Sequence, residues 1–141
     1  MISYRDRVRP EWIDYNGHLS EPFYVLVFGL ATTNLMDVTG IDEIYRKETG
    51  CSLYTVEAHV RYLREVGPDA ELLVTTSVIS VGAKKVRLCH EMSVADTLVA
   101  TEELLALHVA HSRTTPFPEH VAVRLRKLVA PAPDYAGRAI S

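Results

Sequence analysis

Long apolar runs, clustered cysteines, repeats and a dominant charge are all missing from this sequence. The 141 residues include two cysteines, Cys51 and Cys89. With no secretory signal at the start, these read as free thiols in a reducing, cytoplasmic compartment. The formal net charge of −3 gives no hold on nucleic acid or an anionic membrane surface. No apolar stretch reaches the length that spans a bilayer. His59, His90 and His108 fall on separate strands without metal-ligand spacing, so they read as structural and no metal is expected. No Gly-x-Gly-x-x-Gly turn, Gly-x-Ser-x-Gly elbow or Cys–His motif stands out. What remains is a chain of ordinary apolar content, long enough for one domain with a real core.

The informative stretch is residues 10–37, Pro-Glu-Trp-Ile-Asp-Tyr-Asn-Gly-His-Leu-Ser-Glu-Pro-Phe-Tyr followed by an apolar run. A polar loop with one carboxylate, an amide, a glycine and an imidazole feeds directly into a helix. Ser20 is a good N-cap, and Pro22 sits in the first turn, where its missing N–H costs nothing. From Phe23 to Ala31 nearly every residue is apolar, which predicts a helix buried on most sides. Small residues Gly29, Ala31 and Thr32 would let a sheet approach it closely. The free amides at its start carry partial positive charge beside the Asp14 carboxylate, an arrangement able to polarise a carbonyl. Asp14, Asn16 and Gly17 are also what plain turns use.

Elsewhere the pattern is mostly of strands. Residues 2–9 read as a short strand ended by Pro10. The helix stops at Gly40, and a second short helix covers 41–48. Beyond Gly50 the period becomes two: Tyr54, Val56, Ala58, Val60 and Tyr62 share one strand face, and Thr55, Glu57, His59 and Arg61 the other. Turns at Gly67-Pro68-Asp69, Gly82-Ala83 and Ala95-Asp96-Thr97 separate further strands at 71–81, 86–94 and 98–109, predicting a four-stranded antiparallel meander. Residues 118–129 suggest a helix, and 131–141 a mobile tail. The organisation expected is a main domain over 1–112 and an extension over 113–141.

Asp14-Tyr15-Asn16-Gly17-His18 followed by Pro22-Phe23-Tyr24 resembles the active-site loop of the hotdog-fold acyl-CoA thioesterases, the 4-hydroxybenzoyl-CoA thioesterase-like group. The shared pattern is Asp14, Gly17 and Tyr24; the departure is Leu19-Ser20-Glu21, where many members carry Met or Val and then asparagines. Arg61 to Arg64 with the Gly67-Pro68-Asp69 turn is similar to the strand end that follows the helix in that family. Residues 10–18, 27–32, 54–57 and 104–109 resemble more closely the betainyl-CoA thioesterases of carnitine breakdown, some of which are fused to a carnitine dehydrogenase. This chain shows no dehydrogenase portion and would be the stand-alone form.

The resemblance implies an α+β hotdog fold, an antiparallel sheet wrapped around one long central helix. It also implies a homodimer or homotetramer with sites at the subunit interface, and hydrolysis of a small acyl-CoA, betainyl-CoA first among them. Coenzyme A enters as part of the substrate, and no cofactor is implied. Asp14 is the candidate nucleophile or base, with backbone amides near Glu21 as oxyanion donors. Asn16 would hold the carbonyl or a water, and His18 would orient the loop. Trp12, Tyr15, Gly17, Tyr54 and Glu57 are the candidate substrate-binding residues, the aromatics and Glu57 suiting a quaternary ammonium. Another short or aromatic acyl-CoA, a hotdog dehydratase and a non-catalytic acyl-CoA-binding module are the rival readings.

Overall fold

The computed structural model describes residues 1–140. Its one sheet runs in the order β1 (Ile2–Arg7), β3 (Glu71–Val81), β4 (Lys85–Val94), β5 (Thr97–Ala110), β2 (Cys51–Tyr62), all neighbours being antiparallel. A two-residue β6 (Arg113–Thr114) pairs with the end of β5. Helix α1 (Glu21–Thr39) lies on the concave face, α2 (Glu43–Thr49) follows it, and α3 (Glu119–Lys127) closes one end. This is the hotdog architecture, with α1 as its central helix.

The four-stranded meander is corrected in one respect: β2 pairs with β5 and has no pairing with β3. The link over 63–70 is too long for a tight hairpin, and its backbone is spent elsewhere. Leu63 and Arg64 N–H groups bond the Val99 carbonyl, Leu19 N–H bonds the Val66 carbonyl, and Val8 N–H bonds the Ala70 carbonyl. The link therefore passes beneath the start of α1, and β2 takes an edge of the sheet.

Three register shifts, at Thr55/Glu57, Val78/Ser80 and Met92/Ser93, mark the irregularities that let the sheet curl. The first also changes which side chains share a face. Tyr54 pairs with Leu107 and Glu57 with Leu105, so both lie on the outer face, where strict alternation put them on opposite ones.

Tyr24, Val27, Phe28, Ala31 and Leu35 turn α1 toward the sheet and are buried. Two apolar clusters result, one under each half of the helix. The helix is less enclosed than its composition predicts, since Val25, Leu26, Gly29 and Val38 are exposed. A Cβ on Gly29 would meet nothing within 4 Å, so Ala31 and Thr32, not Gly29, make the close approach to the sheet. Gly40 does have a steric reason: its φ is 99°, and an added Cβ would sit 2.8 Å from the Arg124 guanidinium.

The C-terminal segment is built into the domain. Val121, Ala122 and Leu125 of α3 join the second cluster together with Phe117. The segment expected to be a mobile tail makes contacts with the sheet: the Tyr135 hydroxyl donates to Glu91 Oε2 at 2.8 Å, and the Gly137 N–H donates to Glu103 Oε1 at 2.7 Å. Arg61 lies over the Tyr135 ring. Both cysteines are free, and no single helix among the described residues is long and apolar enough to cross a membrane.

Because α3 completes the core, Leu125→Ala is expected to cost about 2–5 kcal/mol, the usual range for emptying a buried leucine site. Urea unfolding at fixed protein concentration measures it. A loss below about 1 kcal/mol would make the segment an appendage.

Candidate active site

The Asp14 turn is drawn against the start of α1 by its own backbone. Ile13 and Leu19 form an isolated antiparallel bridge, and Ser20 N–H bonds the Trp12 carbonyl at 2.9 Å. Inside this loop, Asp14 N–H bonds the His18 carbonyl and Gly17 N–H bonds the Asp14 carbonyl. Gly17 has φ +79°, a left-handed conformation that glycine adopts without strain. Asp14 Oδ1 accepts from Asn16 N–H at 2.9 Å, an Asx turn. The turn reading of these residues is thus true of one carboxylate oxygen, while Oδ2 has no hydrogen bond among the described residues.

Ser20 occupies the N-cap position, but its hydroxyl makes no capping bond. Phe23 N–H returns to the Ser20 carbonyl, and Pro22 has no N–H to offer. Among the described residues, none accepts from Glu21 N–H. An uncapped, positively polarised amide therefore stands at the helix start. Glu21 lines a cleft of about 430 Å³ together with Leu19, Tyr24, Tyr62, Arg64 and Glu65. His18 Nε2 lies 3.2 Å from Glu65 Oε2, tying the loop to the far wall. Tyr24 donates to the Arg64 carbonyl at 3.2 Å and meets the Tyr62 ring edge-on at 5.1 Å. Burial first, then the Glu21 and Glu102 carboxylates, hold the Tyr62 phenol above its usual range.

The other sequence candidates separate. Tyr15 is 95% exposed, and Asn16 is exposed with it. Trp12 is corrected: it is 3% exposed, stacked on Phe23 at 5.6 Å, with the Arg9 guanidinium 4.8 Å from its ring centroid. An indole in the core with a resident cation is not an open face for a ligand cation. Tyr54 and Glu57 lie on the outer face of β2. Glu57 borders a different cleft with His59, Arg87, Glu103 and Arg138. Asp14, Asn16, Gly17 and His18 thus share the turn that leads into α1, of the candidates only Glu21 lines the cleft, and Tyr54 and Glu57 lie elsewhere.

Two buried ionisable groups lie under α1. His90 of β4 has Nε2 2.8 Å from Thr32 Oγ1 and Nδ1 2.8 Å from Thr76 Oγ1. Thr32 already donates its proton to the Phe28 carbonyl, so it accepts from Nε2–H, and Thr76 donates to Nδ1. The ring is neutral and satisfied, and burial pulls its pKa down to about 4. Glu102 of β5, opposite His90 and Val60 in register, is 4% exposed and takes part in no hydrogen bond or ion pair among the described residues. Burial pushes its pKa up to about 7. This residue was missed from the sequence, although a glutamate among Ala100, Leu104 and Ala106 on one strand face was its signal.

The two groups have opposite pH signatures. His90, depressed in the folded state, supplies stability that is lost as pH falls from about 6.5 toward 4. Glu102, raised in the folded state, supplies stability that is complete below pH 4.5 and lost as pH rises through about 7. Glu102→Gln removes only the second. Its stability relative to the unmutated protein should improve by on the order of 3 kcal/mol between about pH 4.5 and pH 8. Urea unfolding at the two pH values tests this, and a pH-independent difference would contradict it.

A model of the thioesterase-like superfamily matches residues 8–125. The betainyl-CoA thioesterase of Pseudomonas aeruginosa is 36% identical over 99% of this chain and 94% of its own length. The L-carnitine dehydrogenase/betainyl-CoA thioesterase of Agrobacterium fabrum is 41% identical over 92% of this chain but only 28% of its own length. A solved structure from Pseudomonas putida KT2440 superposes with a TM-score of 0.86 at 38% identity, over 98% of this chain and 94% of that one. A Staphylococcus aureus protein solved in complex with CoA shares the fold, with a TM-score of 0.91 at 23% identity over 99% and 93% of the two chains. With the Asp14 turn seated at the uncapped start of a buried central helix, this chain belongs to the thioesterase-like superfamily.

Proposed function

We propose that the protein is an acyl-CoA thioesterase that hydrolyses betainyl-CoA to betaine and CoA. The observation that carries the chemistry is the free Glu21 N–H beside a turn whose Asp14 keeps one carboxylate oxygen unbonded. The acyl group rests on the full-length likeness to a betainyl-CoA thioesterase. Asp14 attacks the thioester carbonyl carbon, or deprotonates the water that does. Either way the carbonyl oxygen becomes negative, and a preorganised amide at a helix N-terminus stabilises that charge without reorganising. The C–S bond then breaks and the CoA thiolate takes up a proton; where Asp14 was the nucleophile, water then hydrolyses the acyl–Asp14 anhydride, releasing betaine and restoring the carboxylate. Asn16, next to Asp14, holds the carbonyl or the water, and His18, through Glu65, holds the loop in place.

The active form is a homodimer or a larger homo-oligomer, acting in the cytoplasm. Support comes from the apolar side chains that one chain leaves open on its edge strand and central helix: Tyr54, Val56, Tyr62, Val25 and Leu26. Pairing two β2 edges would cover them and satisfy the unpaired backbone of the edge. Tyr54 and Glu57, remote from the turn of their own chain, reach a site from the partner's β2, while Tyr15 and Gly17 shape its mouth. Sedimentation at micromolar concentration should show a dimer or tetramer; a monomer removes this arrangement.

Free-thiol release from betainyl-CoA tests the activity. Asp14→Asn keeps the acceptor for Asn16 N–H and nearly the same volume, so the fold should persist. Turnover should nevertheless fall by about 10³-fold or more. A variant retaining a tenth of the activity would reduce Asp14 to a turn residue. CoA binding without release from any acyl-CoA would mark a non-catalytic module.

A further inference from the structure

A betainyl group presents a difficulty that the Asp14 turn does not solve. Its trimethylammonium is separated from the thioester carbonyl by a single methylene, so whatever balances the charge must lie beside the cleft where the carbonyl reacts. The cation has no N–H, and its natural surroundings are aromatic faces with a carboxylate that needs no directional bond. Within one chain Glu57 borders another cleft and Trp12 is in the core; the partner's Glu57 is the rival carboxylate, which Glu57→Gln separates from Glu102. Glu21 lines the right cleft, but its side chain is exposed and solvated.

We propose that Glu102, together with the Tyr24 and Tyr62 rings, receives the quaternary ammonium of the acyl group. This rests on the betainyl-CoA reading above. Glu102 is 4% exposed, and no cation, hydroxyl or amide among the described residues answers it. Its register partner His90 is engaged on both ring nitrogens by threonines, and Arg87 is turned to Glu103 on the outer face. Other buried polar side chains on the inner side are paired: His108 bonds Tyr45 and the Thr115 carbonyl, and Thr39 bonds the Leu35 carbonyl. Set in apolar surroundings, with no hydrogen-bond or ion-pair partner among the described residues, the Glu102 carboxylate is open to a cation that reaches it past Tyr62.

The neighbouring rings complete it. Tyr62 pairs with Ala100 and Val60 with Glu102, so Tyr62 lies two residues nearer the cleft mouth on the same inward face of β2. Its ring stands edge-on to Tyr24 at 5.1 Å, and both line the cleft. The ammonium enters past the Tyr24–Tyr62 pair toward Glu102, while the carbonyl stays at Glu21 N–H.

The test compares betainyl-CoA with 3,3-dimethylbutyryl-CoA, which carries carbon in place of the ammonium nitrogen, reading the ratio of their kcat/KM values. The unmutated enzyme should favour the charged substrate, and Glu102→Gln should lower that ratio at least tenfold. Glu102→Met, apolar and of similar size, repeats the test should the glutamine variant not fold. The unmutated enzyme gives a third readout: its ratio should rise between about pH 6 and pH 8 as Glu102 loses its proton. The other titratable groups around Glu102 are Glu21 and Tyr24 of α1, Tyr62 of β2 and His90 of β4, with Glu65 in the 63–70 link; His90 is already neutral in that range. Equal ratios in the unmutated enzyme would remove the betainyl-CoA reading and this inference with it. A charged-substrate preference that survives both variants, or that falls in Glu57→Gln instead, would overturn Glu102 alone. An equal collapse of kcat on both substrates would put Glu102 on the reacting group and overturn the cation role.

Discussion

Everything in this molecule depends on burying one face of α1 in the curl of a single sheet. Val27, Phe28, Ala31 and Leu35 are completely buried there. Each large side chain among them is worth roughly 1.5–3 kcal/mol in removed apolar surface. That packing fixes the helix in translation as well as rotation, so its N-terminus falls where the loop from Trp12 to Ser20 and the 63–70 link converge. The link is held there by the Leu19–Val66 and Val8–Ala70 backbone bonds. The cleft is the space those three segments fail to fill.

The start of α1, like that of α3 at Pro118, lacks a side-chain cap, where α2 has one. Helix α2 is capped by the Asp42 side chain on Tyr45 N–H, and it closes on a left-handed Gly50. At α1 the serine hydroxyl makes no capping bond, the proline removes one donor, and the Glu21 amide is left open. An uncapped helix N-terminus sacrifices part of the stabilisation a cap provides, typically about 1 kcal/mol. It keeps an oriented donor free for an oxyanion. Beneath the helix, His90 is neutral and doubly bonded, while Glu102, beside it in register, has no hydrogen-bond or ion-pair partner among the described residues. Unmet polar groups are costly in a low-dielectric interior, and a ligand that supplies the missing partner removes that cost.

Local chemistry was sufficient for much of this. The 2.0 and 3.6 periodicities located the four long strands and α1 to within a few residues. Pro22 and Gly40 marked the helix ends, and the Asp14-x-Asn16-Gly17-His18 turn was legible because turn-forming side chains act on neighbours two or three residues away. Tertiary structure decided what depends on distant partners. A bulge at Val56 cannot be read from alternation, yet it moved Tyr54 to the face of Glu57. The choice of β5 over β3 as the partner of β2 depended on where the 63–70 link found its hydrogen bonds. Trp12 could have been a binding face or a core ring until packing on Phe23 made it the latter. Glu102 was visible only as a charged residue on an apolar strand face. Whether a carboxylate is paired or stranded depends on what surrounds it in space, and here the imidazole across from it was already engaged by Thr32 and Thr76 from two other elements.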